Sequence, residues 1–255
     1  MRLQRPGHKS IPISRDAADG SVHHQAYGDH YQGEGDPGKP GCRPYGGGGL
    51  VWASHSSAGG KACSYAMEVT DPASAKSALD HVEDILGSIS GLVNCAGITG
   101  KTAVLGADVD LDDFDQVHNI NLRGALVVSQ AVLPGMLTRG YGRLLHVASI
   151  SGKEGNSGML AYSTSKAGLI GMVKVLGKDY AESGVTINAI APAVVRTPMV
   201  DVLPDETVSY MTDKIPMKRC CELSEVAQLI AWTVSPACSF NTGYVFDMTG
   251  GRATY

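Results

Sequence analysis

Tyr162 and Lys166 stand four residues apart in the run Tyr162-Ser163-Thr164-Ser165-Lys166, and Ser149 lies thirteen positions before the tyrosine. Side chains four apart on a helix share a face, with Cβ atoms about 5–6 Å apart. A free phenol titrates near ~10 and a free lysine near ~10.4. An ammonium fixed beside a phenol favours the phenolate and moves the tyrosine toward acid–base work at neutral pH. Ser149 closes a short apolar strand, Arg143 to Ala148, and its hydroxyl can hydrogen-bond a substrate oxygen held near that phenol. Proton transfer to and from an oxygen on carbon is the chemistry this trio supports.

The elements that must position these residues follow from hydrophobic periodicity. From Cys63 onward strand and helix patterns alternate, as a parallel sheet with crossover helices demands. Tyr65 to Val69 reads as a strand. Asp71-Pro72 offers an N-cap and a first-turn proline, with Leu79, Val82 and Leu86 on one helical face. Gly91 to Cys95 reads as a buried strand, and Leu111 to Leu137 as a long helix with Phe114, Val117, Val128 and Val132 on its apolar side. Arg143 to Ala148, Val185 to Ile190 and Tyr244 to Phe246 supply further strands; Met159 to Ala181 and Ser224 to Thr233 supply helices. Short strands with long amphipathic partners predict an α/β fold, a Rossmann-like doubly wound parallel sheet in a single domain spanning residues 63–255.

Further motifs fall in order along that domain. Asn94-Cys95-Ala96-Gly97 follows the apolar pair Leu92-Val93, and Asn121 sits within Asn119-Ile120-Asn121-Leu122-Arg123-Gly124. Ile190-Ala191-Pro192-Ala193-Val194-Val195-Arg196-Thr197-Pro198 and Phe246-Asp247-Met248-Thr249-Gly250-Gly251 close the series. Together with Ser149, Tyr162 and Lys166, these resemble the short-chain dehydrogenase/reductase family, single-domain nicotinamide-dependent oxidoreductases. Each residue alone has an ordinary reading, a helix-surface tyrosine or a strand-ending serine. The ordered set is what carries the resemblance. Ser151 fits it less well than Ser149, being two residues short of the family spacing, and Ala193 stands where the family has glycine.

The resemblance implies roles. Tyr162 would be the general acid/base, and Lys166 would lower the phenol's pKa and hold the nicotinamide ribose. Ser149 would orient the substrate oxygen, and Asn121 would hold a water that relays protons toward Lys166. Asn94, Ala96 and Gly97 would line the adenine-ribose side of the cofactor, with Glu68 and Val69 near the adenine ring. Pro192, Val195 and Thr197 would line the nicotinamide side. The cofactor is NAD or NADP; the acidic residue that would separate them falls in a stretch where the family pattern is not legible. Met199 to Met217 reads as a substrate lid, compatible with sugars, polyols, small ketones or acyl thioesters. A homo-oligomer, dimer or tetramer, is the family's usual assembly.

Residues 1–62 follow a different grammar. They hold 13 of the 32 glycines and 5 of the 8 histidines, with neither apolar period, so the first strand, Gly-rich turn and helix of a dinucleotide fold are not legible there. Gly33-Glu34-Gly35-Asp36-Pro37-Gly38 satisfies G-x-G-x-x-G literally but fails on mechanism. No hydrophobic strand precedes it, Lys39-Pro40-Gly41-Cys42-Arg43-Pro44 cannot start a helix, and two carboxylates would face a diphosphate. Gly46 to Gly49, before Leu50-Val51-Trp52, reads as a flexible turn, and His23-His24 as a solvated pair. One account is a frame-shifted translation. A one-base shift from Tyr27 permits Met-Ala-Ile-Ile-Thr, and over Gly41 to Gly49 it permits Ala-Ala-Ala-Arg-Met-Ala-Ala-Ala-Gly, although Gln32 to Glu34 recovers no clean turn. The other account is a divergent or disordered segment. If the phosphate turn is truly missing, the alternative is a dehydrogenase fold without redox chemistry, either a binding or scaffold protein or a damaged product that folds poorly.

Bulk properties narrow the classes. At 255 residues and a net charge of −4, the chain suits one α/β domain and offers no basic face for nucleic acid. Continuous apolar runs fall short of the roughly 18 residues of a membrane span, and no apolar segment follows the early arginines as in a secretory signal. The six cysteines lack zinc-like pairing, so no metal site is expected and reduced thiols in the cytoplasm are the expectation. The expected partner is a small alcohol or ketone.

Overall fold

The computed structural model describes residues 26–27, 49–52, 63, 65–202 and 204–255. Two strands, β1 (Ala26–Tyr27) and β2 (Gly49–Trp52), precede β3 (Ala66–Glu68). The remaining expectations for residues 1–62, including Gly33–Gly38, His23-His24 and the expected phosphate turn, lie outside the described residues.

The main sheet is built from β4 (Gly91–Asn94), β5 (Gly142–Val147), β6 (Val185–Pro192) and β7 (Val245–Met248), all parallel and in that order. Leu92 pairs with Leu144, and Leu144 with Ile187, so the apolar centres of three strands lie side by side. Such runs, buried on both faces, are what a parallel sheet covered by helices needs. Among the described residues β4 has a hydrogen-bonded neighbour on one side only. In a doubly wound sheet the first strand occupies the place next to the fourth.

Two positions depart from the sequence reading. β3, expected within the parallel sheet, instead pairs antiparallel with β2 in a separate three-stranded sheet. Gly49, expected in a flexible turn, is the first residue of that β2 strand. The β-prone run Leu50-Val51-Trp52 is close enough along the chain to return antiparallel, whereas a parallel partner would need a full crossover.

The helices fall where periodicity put them. α1 (Pro72–Leu86) starts at Asp71, whose carboxylate accepts from Ala73 N at 3.0 Å, a cap worth about 1 kcal/mol. It buries Ala75, Ala78, Leu79 and Val82. The long helical run is α2 (Leu111–His118), a π-helical turn (Asn119–Gly124) and α3 (Ala125–Arg139). This run is long and apolar enough to cross a membrane, in contrast to the sequence reading, yet its apolar side is core: Val127, Val128, Val132, Leu133 and Met136 are buried. The short α4 (Ser151–Glu154) leads into α5 (Leu160–Asp179), which carries the Tyr/Lys pair. α6 (Pro198–Asp201) and α7 (Asp205–Asp213) occupy the segment expected as a lid, and α8 (Leu223–Thr233) precedes β7. One apolar cluster joins α1, α3 and α5 to one face of the sheet; a second joins Val93, Leu145 and Ile190 to Val226, Leu229 and Ile230 of α8 on the other. Helices on both faces of a parallel sheet define a Rossmann-like α/β fold.

Candidate active site

In open α/β sheets, ligands bind in the crevice beyond the carboxyl ends of the strands. Asn94 ends β4, Ser149 follows β5 by two residues, and Pro192 ends β6. Pro192 O accepts from Ile150 N at 3.0 Å, which binds the end of β6 to the residue after Ser149. α5 lies across these ends because Gly152 of α4 lets the two helices close: a Cβ there would meet the Lys166 carbonyl carbon at 2.7 Å.

Tyr162 and Lys166 occupy the same face of the first two turns of α5. Tyr162 is half-buried, with the Ser149 hydroxyl near its phenol. Burial pushes the phenol above the ordinary tyrosine range, and the nearby Ser149 hydroxyl partly opposes that. Ser149 is buried and also accepts from Ser151 N at 3.1 Å. Lys166 is buried, and its Nζ donates to Val147 O at 2.8 Å. Burial depresses the lysine to about 8, against an opposing pull from Cys95. Cys95 is itself pushed up to about 11 by burial, with Lys166 pulling it down, so at neutral pH the thiol keeps its proton.

Asn121 is fully buried because the π-helical turn carries it inward, the kind of local irregularity found at functional sites. Its Oδ1 accepts from Ile98 N at 2.8 Å, and its Nδ2 donates to Ile98 O at 2.9 Å and Ser165 Oγ at 3.0 Å. Ser165 Oγ in turn donates to Tyr162 O at 2.8 Å. Asn121 therefore clamps the segment after Asn94-Cys95-Ala96-Gly97 onto α5. Asn94 shapes that turn from the other end, its Oδ1 accepting from Ala96 N at 3.1 Å.

Gly97 lies between these groups. A Cβ on it would sit 3.1 Å from Asn121 Oδ1 and 3.2 Å from Lys166 Nζ. The missing side chain leaves a cradle beside a buried ammonium, and that donor set suits the ribose hydroxyls at the nicotinamide end of NAD(P). These residues fit the cofactor's nicotinamide-ribose half.

The structure thus brings Tyr162, Lys166, Ser149, Asn121, Asn94, Ala96, Gly97 and Pro192 together. The other sequence-derived positions have local contacts of their own. Val195 forms an isolated bridge with Cys221, and Thr197 O accepts from Val200 N and Asp201 N at the start of α6. Glu68 turns its carboxylate back onto Thr70, accepting from its hydroxyl at 2.8 Å. The Val69 side chain is wholly buried, and Gly124 gives it room. Ala193, in place of glycine, lies outside the residues with positive φ, so its Cβ brings no backbone strain there. Sequence reasoning missed Ser165, although it sits inside the Tyr/Lys run. It also missed His146, whose one signal was a titratable residue within the apolar strand Leu144-Leu145-His146-Val147.

A phenol, a serine hydroxyl and a buried lysine at the strand ends of a sheet with helices on both faces are what the resemblance to nicotinamide-dependent α/β oxidoreductases implies. Comparison with known proteins agrees. A family model described as enoyl-(acyl carrier protein) reductase matches residues 50–253. A 2-dehydro-3-deoxy-L-rhamnonate dehydrogenase (NAD(+)) from Sphingomonas is 43% identical over 190 residues, 74% of this chain and 76% of its own. A 3-oxoacyl-[acyl-carrier-protein] reductase from Thermotoga maritima is 38% identical over 192 residues, 75% of this chain and 77% of its own. An acetoacetyl-CoA reductase from Cupriavidus necator is 36% identical over 183 residues, 72% of this chain and 74% of its own. The chain belongs to the short-chain dehydrogenase/reductase family, and by class it is an NAD(P)-dependent oxidoreductase acting on CH–OH groups.

Proposed function

We propose that this protein interconverts a secondary alcohol and a ketone, with Tyr162 as the proton donor and acceptor. The observation that carries the reading is the grouping of the Tyr162 phenol with buried Ser149 and buried Lys166, whose Nζ stands 5.7 Å from the Tyr162 ring centroid. Bound NAD or NADP supplies or accepts the hydride. This chain's residues do the rest. Ser149 orients the substrate oxygen toward the phenol, and Tyr162 gives its proton to that oxygen in reduction and takes it back in oxidation. Lys166 and the Gly97 cradle hold the nicotinamide ribose. Asn121 keeps that cradle in register; its amide is already engaged by Ile98 and Ser165, so a water-holding role would fall to its backbone. Asn94 and Ala96 lead from that cradle toward the adenine-ribose side, with Pro192, Val195 and Thr197 on the nicotinamide side and Glu68 and the Val69 backbone near the adenine.

The catalytic unit in this reading is residues 63–255. The relatives' names offer two substrate classes, a hydroxylated 2-oxo acid and a 3-oxoacyl thioester. We favour the first, on the identity of the sugar-acid dehydrogenase relative and a lid rich in polar side chains between Asp205 and Asp213. The setting is a cytoplasmic homo-oligomer, dimer or tetramer, which would cover the exposed Leu160 and Val175 of α5.

Titration of the purified protein with NADH and NADPH, followed by nicotinamide fluorescence, tests cofactor binding and reads its preference. Steady-state assays with a hydroxylated acid and with a 3-oxoacyl thioester then test the substrate class. Tyr162→Phe is expected to lower kcat by about 10²–10⁴-fold, the range of general acid–base catalysis, while leaving nucleotide binding intact. Retained turnover in that variant would remove Tyr162 from the mechanism.

A further inference from the structure

One ionisable side chain of the interior has no part in the chemistry above. His146 is fully buried in β5 and is held from two other elements. Its Nδ1 lies 3.2 Å from Asn94 Nδ2 at the end of β4, and its Nε2 lies 3.1 Å from Ser129 Oγ on α3. The direction of each bond can be read through the chain. Ser129 Oγ spends its single proton on Ala125 O at 2.7 Å, so toward the imidazole it can only accept. His146 therefore carries its proton on Nε2, and its bare Nδ1 accepts from the Asn94 amide.

That tautomer fixes Asn94. With its NH₂ on the histidine, its Oδ1 is left to accept from Ala96 N. A flipped amide would set an oxygen against the bare Nδ1 and an NH₂ against the Ala96 N–H, two mismatches in a buried place. Gly97 follows Ala96 and packs against Asn121 and Lys166. Val147 follows His146 and supplies the carbonyl that holds Lys166 Nζ. One imidazole thus sets the register of both surfaces flanking the lysine.

We propose that His146 is a positioning residue: locked as the Nε2–H tautomer between Asn94 and Ser129, it holds the Asn94–Gly97 turn against Lys166 and so shapes the nicotinamide-ribose subsite. The inference rests on the proposed cofactor role of Lys166 and that turn. A ring that merely filled space could be exchanged for a similar apolar side chain without effect on the nucleotide. A positioning ring needs both a donor and an acceptor.

The test compares wild type with His146→Leu and His146→Asn, using NADH and NADPH fluorescence titrations, steady-state kinetics and ¹⁵N NMR of the imidazole. The leucine variant is expected to bind its preferred nucleotide about tenfold more weakly, the scale of one lost hydrogen bond, with the nucleotide KM rising more than kcat falls. The asparagine variant, which keeps one donor and one acceptor, is expected to recover most of that loss. The wild-type spectrum is expected to show the Nε2–H form near neutral pH. Unchanged nucleotide affinity in His146→Leu, or an Nδ1–H tautomer, would overturn the proposal. If His146→Leu does not fold, Ser129→Ala decides: weaker nucleotide binding supports the lock, and unchanged binding removes it. A wild-type protein that binds neither nucleotide would instead refute the cofactor reading, while the NMR tautomer still decides whether the lock exists.

Discussion

Lys166 Nζ donates to Val147 O at 2.8 Å while standing 5.7 Å from the centroid of the Tyr162 ring. The four-residue spacing puts both side chains on one face, as the sequence implied, but one of the ammonium's three protons is held by the end of β5. Burial dominates the titration of the phenol, with nearby Ser149 opposing it. The sequence reading had Lys166 lowering the phenol; here the phenol lies above its ordinary range because desolvation of a phenolate outweighs the favourable influence of Ser149.

A pH dependence follows from that sign. A phenol held above the tyrosine range is protonated throughout the neutral range, which suits reduction, where Tyr162 donates. Oxidation of the alcohol needs the phenolate. Its kcat/KM is therefore expected to rise with pH above neutrality, while the reductive rate stays flat between about pH 6 and 7, below the titration of Lys166 at about 8. pH–rate profiles in both directions check this. An oxidative plateau already reached below pH 8 would show that a bound group lowers the phenol more than burial raises it.

Asn121 has a structural consequence separate from chemistry. Its amide satisfies both the N–H and the C=O of Ile98. Asn121→Ala leaves both without that partner; a fully buried orphan costs about 1–3 kcal/mol and these two are part-buried, so the loss in unfolding free energy is expected at about 2 kcal/mol. Urea denaturation measures it. A loss well under 1 kcal/mol would mean that water replaces the amide and that the clamp is not needed for folding.

Most of the frame from Ala66 to Met248 was legible because its helices and strands keep clean apolar periods. α1 begins at Asp71-Pro72 as the cap chemistry requires, and the Tyr/Lys pair falls on α5 as the spacing requires. Other features were not legible, for reasons that are spatial. Nothing local says that Asn121 will reach back 23 residues to Ile98, since the π-helical turn that aims it has no spacing signature. His146 lies in an apolar run, and only the tertiary placement of Asn94 and Ser129 turns a buried histidine into a tautomer lock. The antiparallel pairing of Ala66–Glu68 with Gly49–Trp52 was missed because Leu50-Val51-Trp52 is too short a run to be told from a loop by periodicity.

The same histidine predicts an acid-side loss of stability. Burial, with a smaller contribution from the nearby Lys166 charge, depresses His146 to about 4, below its unfolded value of 6.5. Between those limits the unfolded chain binds a proton that the folded protein refuses. Stability is therefore full above pH 6.5 and falls as pH drops toward 4, by about 3 kcal/mol from this group. Thermal melts of wild type and His146→Asn across pH 4 to 7 isolate the effect. The wild type is expected to lose more stability than the variant over that range, and parallel curves would show that His146 protonates without penalty.

Gly97 offers the sharpest steric test of the cradle. A methyl group there would lie 3.1 Å from Asn121 Oδ1 and 3.2 Å from Lys166 Nζ, closer than most real Cβ contacts, and Lys166 is the partner with freedom to move. The backbone needs no glycine at this position, because Gly97 is not among the residues with positive φ. Gly97→Ala is therefore expected to fold with near-normal stability, since replacing glycine also reduces unfolded-state entropy by about 0.4–1 kcal/mol. Its cost is expected in function: a displaced ammonium and a filled cradle raise the nucleotide dissociation constant about tenfold or more, equivalent to at least ~1.4 kcal/mol. Fluorescence titration beside a thermal melt separates the two effects. A folded Gly97→Ala protein with wild-type nucleotide affinity would place the ribose elsewhere, and with it the role assigned to Lys166.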